Sequence, residues 1–313
     1  MNEERRVNDI EYSTDSKFRS YNFCLDKVPK RPVVITGSKM AAPASKWTPD
    51  YLQSVIGNRR VSVLASRDHN FLFHNAKMVN KDSGDAPLTK RTVMKFSDFL
   101  KRLREWKPGD DRLYLQEKFS SCIEASLVKD FDEFEWNWID HKRKVYSWGP
   151  LTSNLILLAM DGKQCHIMSL DEQHNLFAQI HGYKRFILFP PSQYECLYPY
   201  PLYHPCDRQS EFENPDLEKF PKFREIEGGM EAIVGPGDVL YVPNYWFHHV
   251  ESMMSGGPTL SISFWFKVKT VYPLKDFQKV IISRNVERML LELLRDPKEV
   301  SSVLKAMTLG RYS

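Results

Sequence analysis

Three side chains in this sequence suit a metal centre that also binds an organic anion. Asp171 offers a carboxylate, His248 an imidazole and Lys184 an ammonium group. Two imidazoles and one carboxylate on one face of a metal form the facial triad of non-haem Fe(II) oxygenases, and the opposite face stays open for a chelating cosubstrate and O2. A basic residue deeper in such a site pairs with the far carboxylate of 2-oxoglutarate. In this sequence a carboxylate, then a lysine on the next predicted strand, then a histidine after the strand Gly-Asp-Val-Leu-Tyr-Val-Pro (237–243) follow the order of such an iron site, in which Lys184 would pair with the cosubstrate.

A β-rich scaffold must position these residues, and the sequence from Leu151 onward has the pattern of one. Short apolar runs divided by glycine- and proline-containing turns predict strands at 153–160, 175–181, 184–189, 230–234, 238–243, 247–252 and 259–267. Short strands separated in this way are typical of a sandwich or a jelly roll. Residues 202–229 form a long insertion between them, and insertions of this length are usually functional or flexible.

Helices and further strands flank the predicted jelly roll. On its N-terminal side the sequence predicts strands at 32–37, 61–65 and 113–116, helices at 49–56 and 96–103, and a polar loop at 77–90. On its C-terminal side, residues 275–295 predict a helix with a broad apolar face, and Asp296-Pro297 begins a second helix. We therefore predict a mainly β fold with flanking helices, namely a double-stranded β-helix (a cupin-like jelly roll) followed by a C-terminal helical pair.

The chain divides into three predicted regions. Residues 1–30 form a loose lead-in, residues 31–268 the jelly-roll domain with its N-terminal helices and strands, and residues 269–313 the C-terminal helical segment. The breadth of the apolar face in the last region fits an interface better than packing on its own barrel. The C-terminal helical pair is therefore predicted to form an interface.

The composition limits the partners to be considered. Lys plus Arg is 44 and Asp plus Glu is 40, and a net charge of +4 is too balanced to favour nucleic acid as the main partner. No apolar run approaches the roughly 20 residues that span a bilayer, and the polar start of the chain does not predict a secretory signal. The 5 cysteines are widely spaced without a CxxC pair, which argues against a disulfide scaffold or a zinc ribbon. We expect an intracellular, reduced protein that binds neither nucleic acid nor a membrane.

Several long strings support a more specific hypothesis. They are residues 151–154, 171–184, 189–191, 196–201, 204–210, 235–248 and 310–312. On these strings, residues 145–313 resemble the jumonji-C family of Fe(II)- and 2-oxoglutarate-dependent oxygenases. More narrowly, they are similar to the asparaginyl hydroxylase that inhibits hypoxia-inducible factor. A weaker likeness at 112–116 and 136–139 extends the resemblance over most of the chain.

The resemblance implies a role for each matching residue. Asp171 and His248 would be metal ligands. The 2-oxoglutarate site would be formed by Lys184, Tyr114, Asn175 and Ser263. An extended substrate peptide would contact Gln116, Gln173, Arg208 and Trp265. The implied cofactors are Fe(II), 2-oxoglutarate and O2.

One departure from the family pattern lies at the metal itself. The family has a His two residues before the ligand Asp, where this chain has Ser169, and a neutral serine is a poor iron ligand beside imidazole. His166 lies nearby, five residues upstream of Asp171. In one register Ser169 replaces the ligand and leaves one His and one Asp. In the other, His166 is the third ligand and residues 167–170 bulge, because residues five apart otherwise point to opposite faces of a strand.

Two smaller departures occur elsewhere in the predicted site. Ser263 stands where the asparaginyl enzyme has Asn, and a shorter hydroxyl can still form a hydrogen bond. Phe73 stands where the family has Tyr, so a hydroxyl that could orient substrate or O2 is lost.

The resemblance implies a protein hydroxylase, with asparagine in ankyrin-repeat or transcription-factor peptides as the modified residue. It also implies a homodimer located in the cytoplasm, the nucleus or both. The alternative is a catalytically weakened or inactive peptide-binding homologue, which Ser169, Ser263 and Phe73 together favour. A histone lysine demethylase is a third hypothesis, less favoured because no chromatin-reader segment accompanies the domain.

Overall fold

Two β-sheets form the centre of the protein, and helices pack around them. The structure, a computed structural model, describes residues 8–9, 11–14, 31–74, 89–119, 125–159, 165–212, 215–253, 257–268 and 278–308. Its strands are β1 (Asn8–Asp9), β2 (Glu11–Thr14), β3 (Val33–Thr36), β4 (Arg60–Ser66), β5 (Asn70–Phe71), β6 (Thr89–Lys95), β7 (Arg112–Lys118), β8 (Trp148–Ala159), β9 (Cys165–Leu170), β10 (His174–His181), β11 (Lys184–Phe189), β12 (Met230–Val234), β13 (Val239–Val242), β14 (Phe247–Ser252) and β15 (Thr259–Val268). Its helices are α1 (Pro49–Ile56), α2 (Phe96–Arg104), α3 (Ala125–Asp132), α4 (Trp136–Val145), α5 (Gln278–Leu294) and α6 (Pro297–Thr308).

The strands from β8 to β15 fold back and forth between the two sheets. In the 9-stranded sheet they lie in the order β13-β10-β15-β8, and in the 6-stranded sheet in the order β12-β11-β14-β9. Every neighbouring pair among them is antiparallel. Two facing antiparallel sheets connected in this way form a double-stranded β-helix, so the predicted mainly β, cupin-like fold is confirmed. The strands predicted from Leu151 onward are present, although β8 begins earlier, at Trp148.

The remaining strands widen both sheets. In the larger sheet β3 and β2 continue beyond β13, and β7, β4 and β6 continue beyond β8. The sequence pattern does not predict β6: its first two residues fall in the predicted loop 77–90, and the charged segment 91–95 has no predicted element. Pairing with β4 along its whole length holds it in the sheet. The rest of the predicted loop, residues 77–88, lies outside the described residues.

The hydrophobic core lies in two layers. One layer fills the space between the two sheets, with Phe177 and Phe186 packed edge to face at its centre. The other layer packs the helices on the outer face of the larger sheet, and its aromatic rings include Trp47, Phe119 and Phe134. The aromatic-rich segment before β8, which the sequence leaves without a predicted element, forms α3 and α4 over this second layer.

The C-terminal helical pair is present, as predicted. Asp296 caps α6, since its side chain accepts a hydrogen bond from the Lys298 N–H at 2.8 Å, and Pro297 occupies the first helical position. Val280 on α5 and Val300 on α6 are buried. No described helix is long and apolar enough to span a membrane. Dimerisation through this pair stays a prediction.

Candidate active site

A large cavity opens between the two sheets of the jelly roll, with a volume of about 540 Å³. Strands of both sheets and the segment 207–209 form its walls. All the predicted site residues whose side chains are described line it: Tyr114, Gln116, Ser169, Asp171, Gln173, Asn175, Lys184, Arg208, His248, Ser263 and Trp265. The fold therefore brings together residues that lie far apart in the sequence.

Lys184 forms the floor of the cavity. Gly182, with a positive φ of 70°, turns the chain sharply between β10 and β11, and Lys184 is the first residue after that turn to lie in a strand. Its side chain is 2% exposed, and its Nζ lies 3.5 Å from the Tyr114 hydroxyl and 5.2 Å from the centre of the Phe177 ring. Burial lowers the pKa of Lys184 to about 7. Since no carboxylate of the described residues pairs with this ammonium group, the floor suits an anionic ligand.

Two polar residues line the cavity above the floor. Asn175 is 6% exposed, and its side-chain Oδ1 is buried without a hydrogen-bond partner. Ser263 is buried on β15, where it pairs with Phe177 of β10. An unsatisfied buried amide oxygen costs about 1–3 kcal/mol, so polar groups of this kind are usually completed by a ligand or by water.

Asp171 and His248 meet at the mouth of the cavity. His248 Nε2 lies 3.9 Å from Asp171 Oδ2, and His248 Nδ1 lies 3.3 Å from the Trp246 carbonyl oxygen. When Nδ1–H donates to that carbonyl, the lone pair of Nε2 is free on the side of Asp171. Trp265 Nε1–H donates a hydrogen bond of 2.9 Å to Asp171 Oδ2 and so orients the carboxylate. The backbone also holds the two together, since the Tyr245 N–H donates to the Asp171 carbonyl at 2.6 Å.

Ser169 occupies the backbone position next to these two donors. In the pairing of β9 with β14, Ser169 lies opposite His248, and His166 lies opposite Val250. The register shifts between these two pairs, so the strand carries the irregularity that the second register for His166 requires. The side chain of His166 lies outside the described residues, and both hypotheses for the third metal ligand stay open.

The described donor set is one strong donor short of a facial triad. Among the described side chains, no group of three or more His, Cys, Asp and Glu is placed to hold a metal ion. Asp171, His248 and the Ser169 hydroxyl are the donors that this part of the chain brings together, because the other two carboxylates of the lining, Glu172 and Asp207, are bound by Arg284.

Arg208, Gln209 and Phe73 form one rim of the mouth. The Gln209 side chain, which is buried, accepts a hydrogen bond from the Phe73 N–H at 2.8 Å and donates one to the Phe73 carbonyl at 2.6 Å. The Arg208 guanidinium lies 5.9 Å from the centre of the Phe73 ring. Arg208 has a positive φ of 69° and its carbonyl accepts from the Leu170 N–H at 3.1 Å, so this rim is fastened to the end of β9. Phe73 itself is 47% exposed and presents an apolar surface.

Helix α5 holds the same rim from behind. Arg284 is 2% exposed and donates to Glu172 Oε1 and, at 3.0 Å, to Asp207 Oδ1, while Arg288 donates to Glu172 Oε2 at 3.1 Å. Burial alone would lower the pKa of Arg284, but the two carboxylates raise it above its usual value. Burial likewise opposes the charge of Glu172, and the arginines nevertheless lower its pKa. Ion pairs with the C-terminal helix therefore hold Glu172, which follows Asp171, and Asp207, which precedes Arg208.

Sequence reasoning missed part of this arrangement. Arg91 and Lys118 line the cavity from β6 and β7, and neither has a local signal. Gln209 lies within a matching string, but its bond to Phe73 joins segments far apart in sequence. Arg284 interrupts the apolar face of the predicted helix, and that interruption is a signal that could have identified a buried ion pair.

Gln116, Gln173 and Trp265 line the cavity, and the structure adds contacts for two of them. The Thr152 hydroxyl donates to the Gln173 amide oxygen and also lies 3.0 Å from the Trp265 carbonyl oxygen, so the two acceptors share its one hydrogen. Contact with a substrate peptide stays a prediction for all three residues and for Arg208.

Comparison with known proteins agrees with the architecture. The chain matches the cupin-like domain family over residues 27–270. It is 32% identical to lysine-specific demethylase JMJ30 of Arabidopsis thaliana, over 76% of this chain and 50% of that protein. It is 26% identical to the bifunctional peptidase and (3S)-lysyl hydroxylase JMJD7 of Homo sapiens, over 79% and 80% of the two chains. It is 24% identical to HSPB1-associated protein 1 of Bos taurus, over 90% and 55%.

The chain spans about half the length of two of these three relatives. They include a demethylase and a lysyl hydroxylase, and an asparaginyl hydroxylase is not among the three. The narrower resemblance expected from the sequence therefore stays an expectation.

Proposed function

Because the chain belongs to the cupin-like domain family, we propose that it is an Fe(II)- and 2-oxoglutarate-dependent oxygenase that hydroxylates a protein side chain. The relatives named as a lysine demethylase and a lysyl hydroxylase support an oxygenase of this class. The observation that carries the proposal is the buried ammonium group of Lys184, which shares one cavity with Asp171 and His248.

The floor of the cavity fits 2-oxoglutarate. Lys184 and the Tyr114 hydroxyl would hold the carboxylate farthest from the metal, and Asn175 would line the pocket, where its side-chain amide N–H can donate to a ligand oxygen. A bound carboxylate would compensate the buried charge and so favour the protonated form of Lys184. Ser263 would line the same pocket.

The mouth fits a metal through two strong donors, Asp171 and His248, with Ser169 or His166 in the third position. When bound, Fe(II) supplies the oxygen chemistry, by which 2-oxoglutarate and O2 become succinate and CO2 and one oxygen atom enters a C–H bond of the substrate. The chain contributes positioning: Trp265 holds the Asp171 carboxylate, and the Trp246 carbonyl fixes the His248 ring.

We propose a protein as the substrate, with asparagine in an ankyrin-repeat or transcription-factor segment as the modified residue. Gln116, Gln173, Arg208 and Trp265 lie at the mouth, where amide and guanidinium groups suit the backbone of an extended peptide. The lysyl hydroxylase among the relatives makes lysine the alternative modified residue. We place this activity in the cytoplasm or the nucleus.

The proposed assembly is a homodimer formed through the C-terminal helices. Ile282, Met289 and Leu293 lie on one stripe of α5 and are 61%, 53% and 71% exposed, and Met307 on α6 is 67% exposed. Arg284 lies on the opposite face of α5, against the site. A second copy that covers the apolar stripe would therefore stabilise the helix that holds the rim.

The second candidate function is a peptide-binding homologue with little or no catalysis. The observation that favours it is the position of Ser169 opposite His248, because two strong protein donors hold iron less firmly than three.

The test uses the purified full chain with Fe(II), 2-oxoglutarate, and ankyrin-repeat and transactivation-domain peptides that contain asparagine. We expect succinate release and a peptide heavier by one oxygen atom, both lost in Asp171→Ala. If the added oxygen atom is found on a lysine, the modified residue is lysine and not asparagine. Retained 2-oxoglutarate and peptide binding without turnover at saturating iron would favour the second function.

A further inference from the structure

The face of the larger sheet that continues outward from the cavity mouth is basic. It carries Arg60 on β4, Arg91 and Lys95 on β6, and Lys118 on β7, and we call these four residues the basic strip. All four side chains are exposed. Two of them, Arg91 and Lys118, also line the cavity, so the strip and the proposed active site form one continuous surface.

The strand register shows that the four residues share one face. Arg60 lies directly opposite Lys95, and Leu64 lies opposite both Arg91 and Tyr114. Directly opposed residues of antiparallel strands point to the same side of a sheet, and so do alternate residues along a strand. Tyr114 lies beside Lys184 inside the cavity, which identifies this side as the one that faces the site.

The charge of the strip is not compensated within the described part of the chain. Arg91 donates to the Ser62 hydroxyl at 2.6 Å, and none of the four forms an ion pair with a described carboxylate. Glu117 is close by, but its Oε2 accepts the Ser62 N–H at 2.6 Å. Two like charges directly opposed across a ladder, as in Arg60 and Lys95, are destabilising unless something else binds them.

The two sides of the mouth differ in charge. On the side of α5, the carboxylates of Glu172 and Asp207 are already bound by Arg284 and Arg288. On the side of β6, the cations have no described counterion. An acidic segment would therefore be drawn to the basic strip.

We propose that the basic strip binds an acidic stretch of the protein substrate, next to the residue that enters the cavity. This inference rests on the proposed function and specifies its substrate class. From the level of Arg60 to the level of Arg91 the strip runs four residues along β4, or about 13 Å, which an extended peptide covers with about four residues.

A polypeptide fits this surface better than single-stranded nucleic acid does. Besides its cations the strip presents Ser62 and Val93, the latter 53% exposed, and none of these residues carries an aromatic ring on which a base could stack; the exposed ring of Phe73 lies at the rim of the mouth, outside the strip. At the mouth, the amides of Gln116 and Gln173 match the donors and acceptors of a peptide backbone.

The test measures the anisotropy of fluorescein-labelled peptides bound to the full chain, with 2-oxoglutarate present and O2 excluded. Each peptide carries one asparagine, flanked on its N-terminal or C-terminal side by four glutamates or, as the reference, by four glutamines. The double variant Arg60→Glu/Lys95→Glu reverses the charge of the strip. It still places two like charges directly opposite each other across the ladder, so the repulsion that the fold must tolerate is unchanged. Lys267→Glu with Lys298→Glu is the matched control, because both lysines are exposed and neither lines the cavity.

We expect one of the two glutamate peptides, the one whose glutamates lie on the side of the asparagine that faces the strip, to bind about tenfold more tightly than its glutamine reference at low salt. Several ion pairs of modest strength account for this difference. The preference should shrink as salt rises. It should vanish in Arg60→Glu/Lys95→Glu and persist in the control. The single change Lys95→Glu, which places opposite charges across the ladder, should remove part of it even if the double variant fails to fold.

Equal binding of glutamate and glutamine peptides would overturn the inference, as would a preference that survives the double reversal. A labelled oligoadenylate RNA that binds and is released by the same reversal, with no preference among the peptides, would overturn it in favour of nucleic acid. The affinity for 2-oxoglutarate is measured separately by calorimetry, so loss of cosubstrate binding would count against the proposed function alone.

Discussion

The floor and the mouth of the cavity differ in how completely their residues match a ligand. At the floor, Lys184 and Tyr114 present a buried cation and a hydroxyl, both of which can donate to a carboxylate. At the mouth, Asp171 and His248 offer two strong metal donors, and a serine stands opposite His248. Recognition of the cosubstrate and retention of the metal are therefore separable properties of this chain, and each can be measured without the other.

The largest expected effect comes from completing the mouth. Ser169→His should raise the affinity for Co(II) or Fe(II) more than about 100-fold, because even residues that only orient metal ligands change affinity 10- to 100-fold. Titration with Co(II), followed through its visible absorption, measures this. Ser169→Ala is the matched control and should change metal affinity little.

The same titration can contradict that expectation. If Ser169→His leaves metal affinity unchanged while His166→Ala abolishes it, His166 is the third ligand. The mouth would then be as complete as the floor, and the contrast between the two ends would disappear.

The next effect tests the floor. Lys184→Met should weaken 2-oxoglutarate about 30-fold or more, since loss of one partner from a buried, hydrogen-bonded charge pair costs about 2 kcal/mol or more. Calorimetry with 2-oxoglutarate measures it, and metal affinity should stay unchanged. Lys267→Met, an exposed lysine outside the cavity, is the control. Unaltered 2-oxoglutarate affinity in Lys184→Met would show that the floor of the cavity does not bind the cosubstrate.

The smallest effect is a pH dependence that belongs to the floor alone. With the pKa of Lys184 near 7 in the free protein, the ammonium form exists below pH 7 and binds a carboxylate directly. Above pH 7 the amine must first take up a proton, so 2-oxoglutarate affinity should fall by up to about tenfold per pH unit. Calorimetry at pH 8 in buffers of different ionisation enthalpy should show proton uptake on binding. The same uptake in Lys184→Met would assign the proton to another group.

The sequence predicts the fold better than it predicts the environment of the site. Strands β10 to β15 are predicted because glycine and proline mark their ends. The position of Lys184 at the start of a strand is predictable because it follows such a turn. β6 is missed because its Lys90, Arg91 and Lys95 resemble a loop until pairing with β4 is known. The neighbour of Ser169 across the sheet depends on strand register, which no local pattern contains.

Contacts between distant segments explain the rest of what the sequence could not supply. The bond from Gln209 to Phe73 spans 136 residues, and the ion pair of Arg284 with Glu172 spans 112. Only the tertiary fold makes such residues neighbours. The mouth and its rim, which consist of these contacts, are for that reason less predictable than the floor.

The ion pair of Arg284 with Glu172 also sets an order of events while the chain is being made. At about 5–20 residues per second, roughly 6–22 s pass between synthesis of Glu172 and of Arg284, 112 residues later. During that interval a nascent chain can fold its strands, but the carboxylates of Glu172 and Asp207 lack the guanidinium that neutralises them. The pocket therefore reaches its final form only after α5 has been synthesised and Arg284 has paired with Glu172 and Asp207.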